Sequence, residues 1–293
     1  MHYAAALLIF TALGAAAQSV PPAIFTDPPI DKAHPAKMTV IHIPTHGLLI
    51  NGVVYSPIGA GPHPTIVICH GLPGNEKNLD LAQALRRAGW NAVTFNYRGS
   101  WGSPGYFRFA QTLEDANAVL AYLRANADTL GVDTRRIVLA GHSMGGWVVA
   151  HTAAQDRGDQ GPGVIGAILI SAADMGRSGM RPPDRLLKSM ADDMESLNGV
   201  TAESMAAEVH DNAQAFRMEN AAAGLAQIPL LALTADDGLA PDAAALVKAI
   251  EAKGGHQATV KHFATDHSFS DHRIALESEI INWLASLLKQ NQH

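Results

Sequence analysis

The chain contains a single cysteine, Cys69. One cysteine cannot form an intrachain disulfide or build a cysteine-rich metal site. Because Cys69 closes an apolar run, a buried and inert thiol is expected there. Basic runs are missing as well: 21 Lys and Arg stand against 27 Asp and Glu, a net charge of −6. That balance carries no electrostatic footprint for nucleic acid or for an anionic membrane surface. No internal repeat is evident. Beyond the N-terminus, no apolar run approaches the roughly 18 residues of a membrane-spanning helix.

The N-terminus reads as a processing segment. Ala4 to Leu13 is apolar but too short to span a bilayer, and Ala15-Ala16-Ala17 before Gln18 fits a small-x-small cleavage site. Met1-His2-Tyr3 lacks the Lys or Arg usual at the start of such leaders. Residues 1–17 are therefore expected to be a signal peptide, with an uncleaved anchor or a misassigned start as the alternative. The mature protein is expected in the periplasm or outside the cell, with no membrane span. Residues 18–37 are rich in proline and read as an extended leader.

What is present is an alternation of buried strands and amphipathic helices. With 47% hydrophobic residues in 293, the chain has material for one large α/β domain or two small ones. Two β-branched strands, Met38 to Pro44 and Leu48 to Ser56, flank a turn at Thr45-His46-Gly47, with His42 and His46 exposed. Pro57 to Pro64 reads as a loop. Thr65 to Cys69 is a continuous apolar run of the kind buried on both faces of a parallel sheet. Further strands are expected at Ala92 to Asn96, Arg136 to Ala140, Val164 to Ile170, Pro229 to Thr234 and Gln257 to His262. Helices are expected at Asn78 to Ala88 (apolar face Leu79, Leu81, Ala82, Leu85, Ala88), Gln111 to Asn126, Ala243 to Lys253 and Asp271 to Leu288. The pattern predicts a mainly parallel sheet with right-handed crossovers.

Between 172 and 228 the strand-like runs vanish, and Met175, Met180, Met190, Met194, Met205 and Met218 mix with charges. This stretch reads as a helical cap inserted between two parts of a core, 38–171 and 229–293. Its methionines either line an adaptable substrate surface or pack the cap onto the core.

The strongest motif is Gly141-His142-Ser143-Met144-Gly145, preceded by Arg136 to Ala140 and followed by the apolar stretch Gly146 to Ala154. Strand, Gly-x-Ser-x-Gly and helix in that order place a serine hydroxyl on a sharp turn above a sheet, at the positive end of a helix. Gly-His-Ser-Met-Gly-Gly resembles the nucleophile elbow of the α/β-hydrolases, and the resemblance runs over roughly residues 40 to 290 apart from the cap. It implies a mostly parallel eight-stranded sheet flanked by helices, a helical cap insertion, and no cofactor. His70-Gly71-Leu72-Pro73-Gly74 resembles the family's oxyanion loop, which implies the amides of Leu72 and Met144 as oxyanion donors. Tyr97-Arg98-Gly99-Ser100-Trp101-Gly102-Ser103 is similar to a Tyr-Arg-Gly segment that many members carry, and Arg98 is expected to brace loops. His142 is expected to point away from the reacting centre.

A serine hydroxyl needs a base, and an imidazole base needs a carboxylate to hold its tautomer. The family order of Ser, Asp and His is supplied by Ser143, Asp237 and His267. Asp236 is the alternative acid; aligning Thr234 with the family's loop glycine favours Asp237. His262 falls within the last strand and His272 opens the last helix, which leaves His267 in the loop between. His262, Asp266, His267, Asp271 and His272 lack the spacing that puts metal ligands on one helical face, so no metal is expected. The expected activity is a serine hydrolase cleaving small-molecule carboxylic esters through an acyl-enzyme. The alternatives are a dipeptidyl- or aminopeptidase of the same fold, with Asp192, Asp193 and Glu195 gripping a peptide amino terminus, and a non-catalytic binding protein.

Overall fold

The structure, a computed structural model, describes residues 20–156 and 163–290. The expected signal peptide at 1–17 lies outside the described residues. Among the described residues eight strands form one sheet: β1 (Lys37–Thr45), β2 (Leu48–Ser56), β3 (His63–Cys69), β4 (Asn91–Phe95), β5 (Val132–His142), β6 (Gly166–Ile170), β7 (Leu230–Thr234) and β8 (Ala258–His262). Their spatial order is β1-β2-β4-β3-β5-β6-β7-β8. β1 and β2 pair antiparallel, β2 pairs antiparallel with β4, and every pair from β4 through β8 is parallel. The β1–β2 hairpin turns through His46 and Gly47 at φ of 45° and 78°, the left-handed pair that a two-residue hairpin loop requires.

Ten α-helices connect and cover the sheet: α1 (Leu79–Arg87), α2 (Phe109–Ala125), α3 (Ala127–Leu130), α4 (Met144–Gln155), α5 (Met175–Gly179), α6 (Pro183–Asp192), α7 (Ala202–Asp211), α8 (Ala222–Leu225), α9 (Ala240–Glu251) and α10 (Arg273–Gln290), all among the described residues. One core layer packs α2, α4 and α9 against one face of the sheet, and a second packs α1 and α10 against the other. Among the described residues no helix is long and apolar enough to cross a membrane.

Three sequence expectations shift. β5 starts at Val132 rather than Arg136, because Val132 pairs with His63 across a shifted register, and the polar run Asp133 to Arg136 conceals that start. β3 likewise starts at His63, with Pro64 at the irregularity between His63 and Thr65, where a ladder can do without its N–H. Leu79 is exposed, and the buried stripe of α1 is Leu81, Ala82, Ala84 and Leu85. The segment from Val20 lies on the surface, where Arg87 donates to the carbonyls of Ala23 and Ile24.

One charge on α2 is buried. Asp115 is fully buried and receives the Arg98 Nε–H at 2.6 Å, the Arg98 backbone N–H at 2.8 Å and the Thr45 hydroxyl at 3.1 Å. Arg98 also reaches Glu114 at 2.5 Å, so it braces α2 against the β4 loop. Burial pushes the Asp115 carboxyl above its usual value despite these donors. Removing the guanidinium leaves an unpaired charge in the interior. Arg98→Met is expected to cost about 3–5 kcal/mol, read as a lowered midpoint in urea unfolding; an unchanged midpoint would show the pair to be dispensable.

Between β6 and β7 the chain passes through α5 to α8. Met175, Met190, Met205 and Met218 are buried in the core layer on the α4 side, whereas Met180 is exposed. Four of the six methionines therefore pack this insertion down. Trp147 of α4 fastens it further by donating to the Phe216 carbonyl at 2.6 Å.

Candidate active site

Ser143 lies between the last residue of β5 and the first of α4, at φ 57° and ψ −125°. A non-glycine residue in that region costs of order 1–3 kcal/mol and persists only where its surroundings over-determine it. Here they do. The Ser143 N–H donates to the Ile170 carbonyl, and its own carbonyl accepts from Gly146 and Ala173. A Cβ at Gly145 would overlap the Cys69 carbonyl, so only glycine allows α4 to leave so close to β3. A Cβ at Gly71 would come within 2.9 Å of the Ser143 Cβ. The loop after β3 thus presses its backbone directly against the serine.

That loop contains Leu72, which follows Gly71. Met144 opens α4, and its N–H, in the first helical turn, has no intrahelical partner. The loop is fastened at the Pro73 carbonyl, which accepts from Trp101 Nε1 at 2.7 Å and from the Ser196 hydroxyl at 3.2 Å. Lys77 sits 4.2 Å over the Trp101 ring, and the His70 ring nitrogen Nδ1 donates to the Gly71 carbonyl at 2.8 Å. Neither Trp101 nor Ser196 stands out in the sequence as a support for this loop.

Asp237 and His267 meet on the same side of the sheet, in the loops after β7 and β8. His267 Nδ1 lies 2.6 Å from Asp237 Oδ2. The same oxygen accepts the Ser171 hydroxyl at 2.7 Å, and Oδ1 accepts the Leu239 N–H at 3.0 Å. Burial pushes the Asp237 carboxyl up, but the His267, Ser171 and Leu239 hydrogen bonds outweigh it and hold the group below its usual value. An ionised carboxylate only accepts, so His267 Nδ1 carries the proton and Nε2 is free to accept one. Ser171, at φ 41° just past β6, is a supporting residue the sequence did not single out.

The alternatives separate cleanly. Asp236 Oδ1 pairs with His262 Nε2 at 3.1 Å, both well exposed, and His272 pairs with Asp271. Of the five His and Asp residues weighed as metal ligands, His262 pairs with Asp236, His267 with Asp237 and His272 with Asp271, while Asp266 accepts the Ser270 N–H. The structure brings Asp237 to His267 but makes no hydrogen bond from Ser143 to that imidazole; such contacts commonly tighten only when substrate is bound. Ser143 and His267 are joined instead through His142, whose Nε2 lies 2.8 Å from the His267 carbonyl. His142 thus turns toward the loop that carries His267.

One group of the insertion bears on this site. Burial, reinforced by the Asp192 and Glu195 carboxylates, pushes the Asp193 carboxyl up to about 6, and the His267 imidazole works against that rise. Glu195 in turn accepts from Asn75 of the loop after β3 at 2.9 Å. Cys69, fully buried at the end of β3, has its thiol pushed up to about 12 by burial, which keeps it protonated and unreactive.

Comparisons with known proteins agree with this architecture. The alpha/beta hydrolase family model matches residues 66–277. An uncharacterized protein of Mycobacterium tuberculosis is 30% identical over 122 residues, which are 41% of this chain and 42% of that protein. The chain therefore matches about two fifths of the length of that relative. Among solved structures, the thermostable carboxylesterase EstE1 from a metagenomic library superposes with a TM-score of 0.65 at 24% identity, covering 87% of this chain and 90% of that one. A bacterial brefeldin A esterase, described as a homologue of human hormone-sensitive lipase, gives 0.64 at 17% identity over 92% of this chain and 82% of its own. The sheet order, the strand–serine–helix turn and the matched span together place the chain in the alpha/beta hydrolase family, with an esterase- and lipase-like fold.

Proposed function

We propose that the chain is an exported serine hydrolase that cleaves carboxylic esters of small molecules through a covalent acyl-enzyme. The observation that carries this reading is the Asp237–His267 hydrogen bond of 2.6 Å, which holds the imidazole in the tautomer a general base needs, across the sheet end from a strained serine. In this reading His267 Nε2 takes the Ser143 proton as Oγ attacks the ester carbonyl. The oxyanion forms against the amides of Leu72 and Met144, each such donor contributing roughly 10²–10³ in turnover. His267 then protonates the departing alkoxide, leaving the acyl group on Oγ. Water, deprotonated by His267, attacks that acyl carbon, and Ser143 leaves with the proton returned to it. Asp237 stays ionised throughout and stabilises the imidazolium.

Asp193 favours a second reading. A desolvated carboxylate within electrostatic reach of His267 suits a substrate bearing a positive amino group, as an aminoacyl ester or a peptide amino terminus does. Wild-type turnover of a chain-length series of p-nitrophenyl esters, measured beside aminoacyl-p-nitroanilides, decides between them. Turnover of the ester series alone is the expected result. Anilide turnover without ester preference would move the protein to the peptidases, and no turnover of either would defeat both readings.

Export rests on the apolar segment Ala4 to Leu13 and the alanines before Gln18. Sequencing the N-terminus of protein recovered from the periplasm or medium of the native host is expected to begin at Gln18. Retention in the cytosol with Met1 intact would refute it.

A further inference from the structure

Two imidazoles lie side by side at the end of the sheet. The rings of His142 and His267 have centroids 4.6 Å apart and planes inclined by 43°. His142 is 4% exposed, at the last position of β5 and directly before Ser143. Its Nε2 is 2.8 Å from the backbone oxygen of His267. A carbonyl oxygen only accepts, so Nε2 carries the ring proton and the hydrogen bond fixes the tautomer. This one side chain therefore ties the turn that carries the nucleophile to the loop that carries the base, across the intervening strands β6 and β7. The next carbonyl of that loop is also held: Arg273 Nη1 donates to Ser268 O at 3.0 Å, while Arg273 is itself gripped by both oxygens of Asp80.

We infer that His142 is a positioning residue for the proposed hydrolysis, setting the separation of Ser143 Oγ and His267 Nε2 through its hydrogen bond to the His267 carbonyl and its ring contact with the imidazole. The inference rests on the serine-hydrolase reading. Asp237 fixes the tautomer and tilt of the base from the Nδ1 side, and Arg273 holds the loop one residue later, but neither bonds the His267 backbone itself. His142 supplies that bond. A displacement of about 1 Å between reacting groups is enough to cost about 10² in rate. Neutrality suits the role, because a second positive ring would repel the imidazolium as it forms. Burial, and then the charge of His267, push His142 down to about 4, so it stays neutral at ordinary pH.

The test uses three variants on a p-nitrophenyl ester, with kcat and KM determined separately. His142→Leu keeps apolar bulk but loses the donor. His142→Gln carries an amide N–H to about the reach of Nε2, and His142→Asn is one methylene shorter. Leucine is expected to lower kcat by about 10–100-fold with KM within about twofold, and to slow fluorophosphonate labelling of Ser143 in parallel. Glutamine is expected to recover most of that loss, and asparagine little of it. Wild-type kcat in the leucine variant would overturn the inference. Equal impairment of glutamine and asparagine would overturn it too, and this comparison stands even where leucine fails to fold. A wild-type protein that neither hydrolyses the ester nor takes the label would instead bring down the serine-hydrolase reading, and the role of His142 with it.

Discussion

Ser143→Ala is expected to abolish labelling by a fluorophosphonate and to lower kcat on p-nitrophenyl esters by about 10⁴–10⁶-fold, while the protein remains folded. The hydroxyl is the only group removed. Alanine keeps the Cβ that contacts Gly71, and the backbone bonds from Ser143 to Ile170, Gly146 and Ala173 do not involve the side chain. The positive φ costs alanine about what it costs serine, so the melting temperature should move little. What remains is the proposed oxyanion loop and the binding surface, enough for a residual rate above that of water but for no covalent intermediate. An alanine variant that retains ester turnover would place the nucleophile elsewhere and remove the basis of the mechanism.

The second large effect concerns the acid. Asp237→Asn is expected to lower kcat by about 10⁴-fold, whereas Asp236→Asn stays within about twofold. Ser171 and Leu239 both donate to the Asp237 side chain. The Leu239 N–H can only donate, so an asparagine keeps its oxygen at the Oδ1 position facing it, which puts the NH₂ at the Oδ2 position facing His267, where the Ser171 hydroxyl can rotate to accept. The imidazole then accepts at Nδ1 and carries its proton on Nε2, facing the serine it is meant to deprotonate. Asp236, paired with exposed His262, has no such leverage. The direction of the Asp237 shift adds a pH signature. Its folded-state pKa is depressed, so its stabilising contribution is present in full above the ordinary aspartate value of 3.8 and is lost as pH falls through the lower folded value. Acid loss of activity near pH 5 is therefore not expected to come from this group. Equal rates for the two asparagine variants would contradict the assignment.

Much of this molecule could be read from local pattern. The hairpin about His46, the buried strand ending at Cys69 and the strand–Ser143–helix turn are each written in contiguous residues. Arg98 is legible as a brace on its family resemblance, though its partner Asp115 is not, because the helical pattern gave no reason to bury a carboxylate there. The choice between Asp236 and Asp237 turns on which way adjacent side chains face, and only the path of the loop after β7 decides it. Ser171 and His142 were out of reach for a different reason. Each acts on a residue that lies far along the chain and meets it only once neighbouring strands are in register. His142 was expected to face away; that reading of the elbow took account of the nucleophile and not of the loop arriving from β8.

The segment at 196–198 is bonded to the loop after β4 along its backbone. Asn198 donates to Gly99 at 2.7 Å, Phe107 donates to Asn198 at 2.9 Å, and Trp101 donates to Ser196 at 3.2 Å, while Ser100 and Leu197 form an antiparallel bridge. Three backbone bonds at a net of about 1 kcal/mol each come to roughly 3 kcal/mol, which holds any state with this seam unzipped near 1% of the population or below. The insertion is thus sewn to the rim instead of hinged on it. Swinging it aside would also release the Ser196 hold on Pro73 and slacken the loop beside Ser143. The stretch from Gly99 to Phe107 and the insertion thus behave as one piece, and the backbone of Gly71 to Pro73 beside Ser143 is held by both, through Trp101 and Ser196.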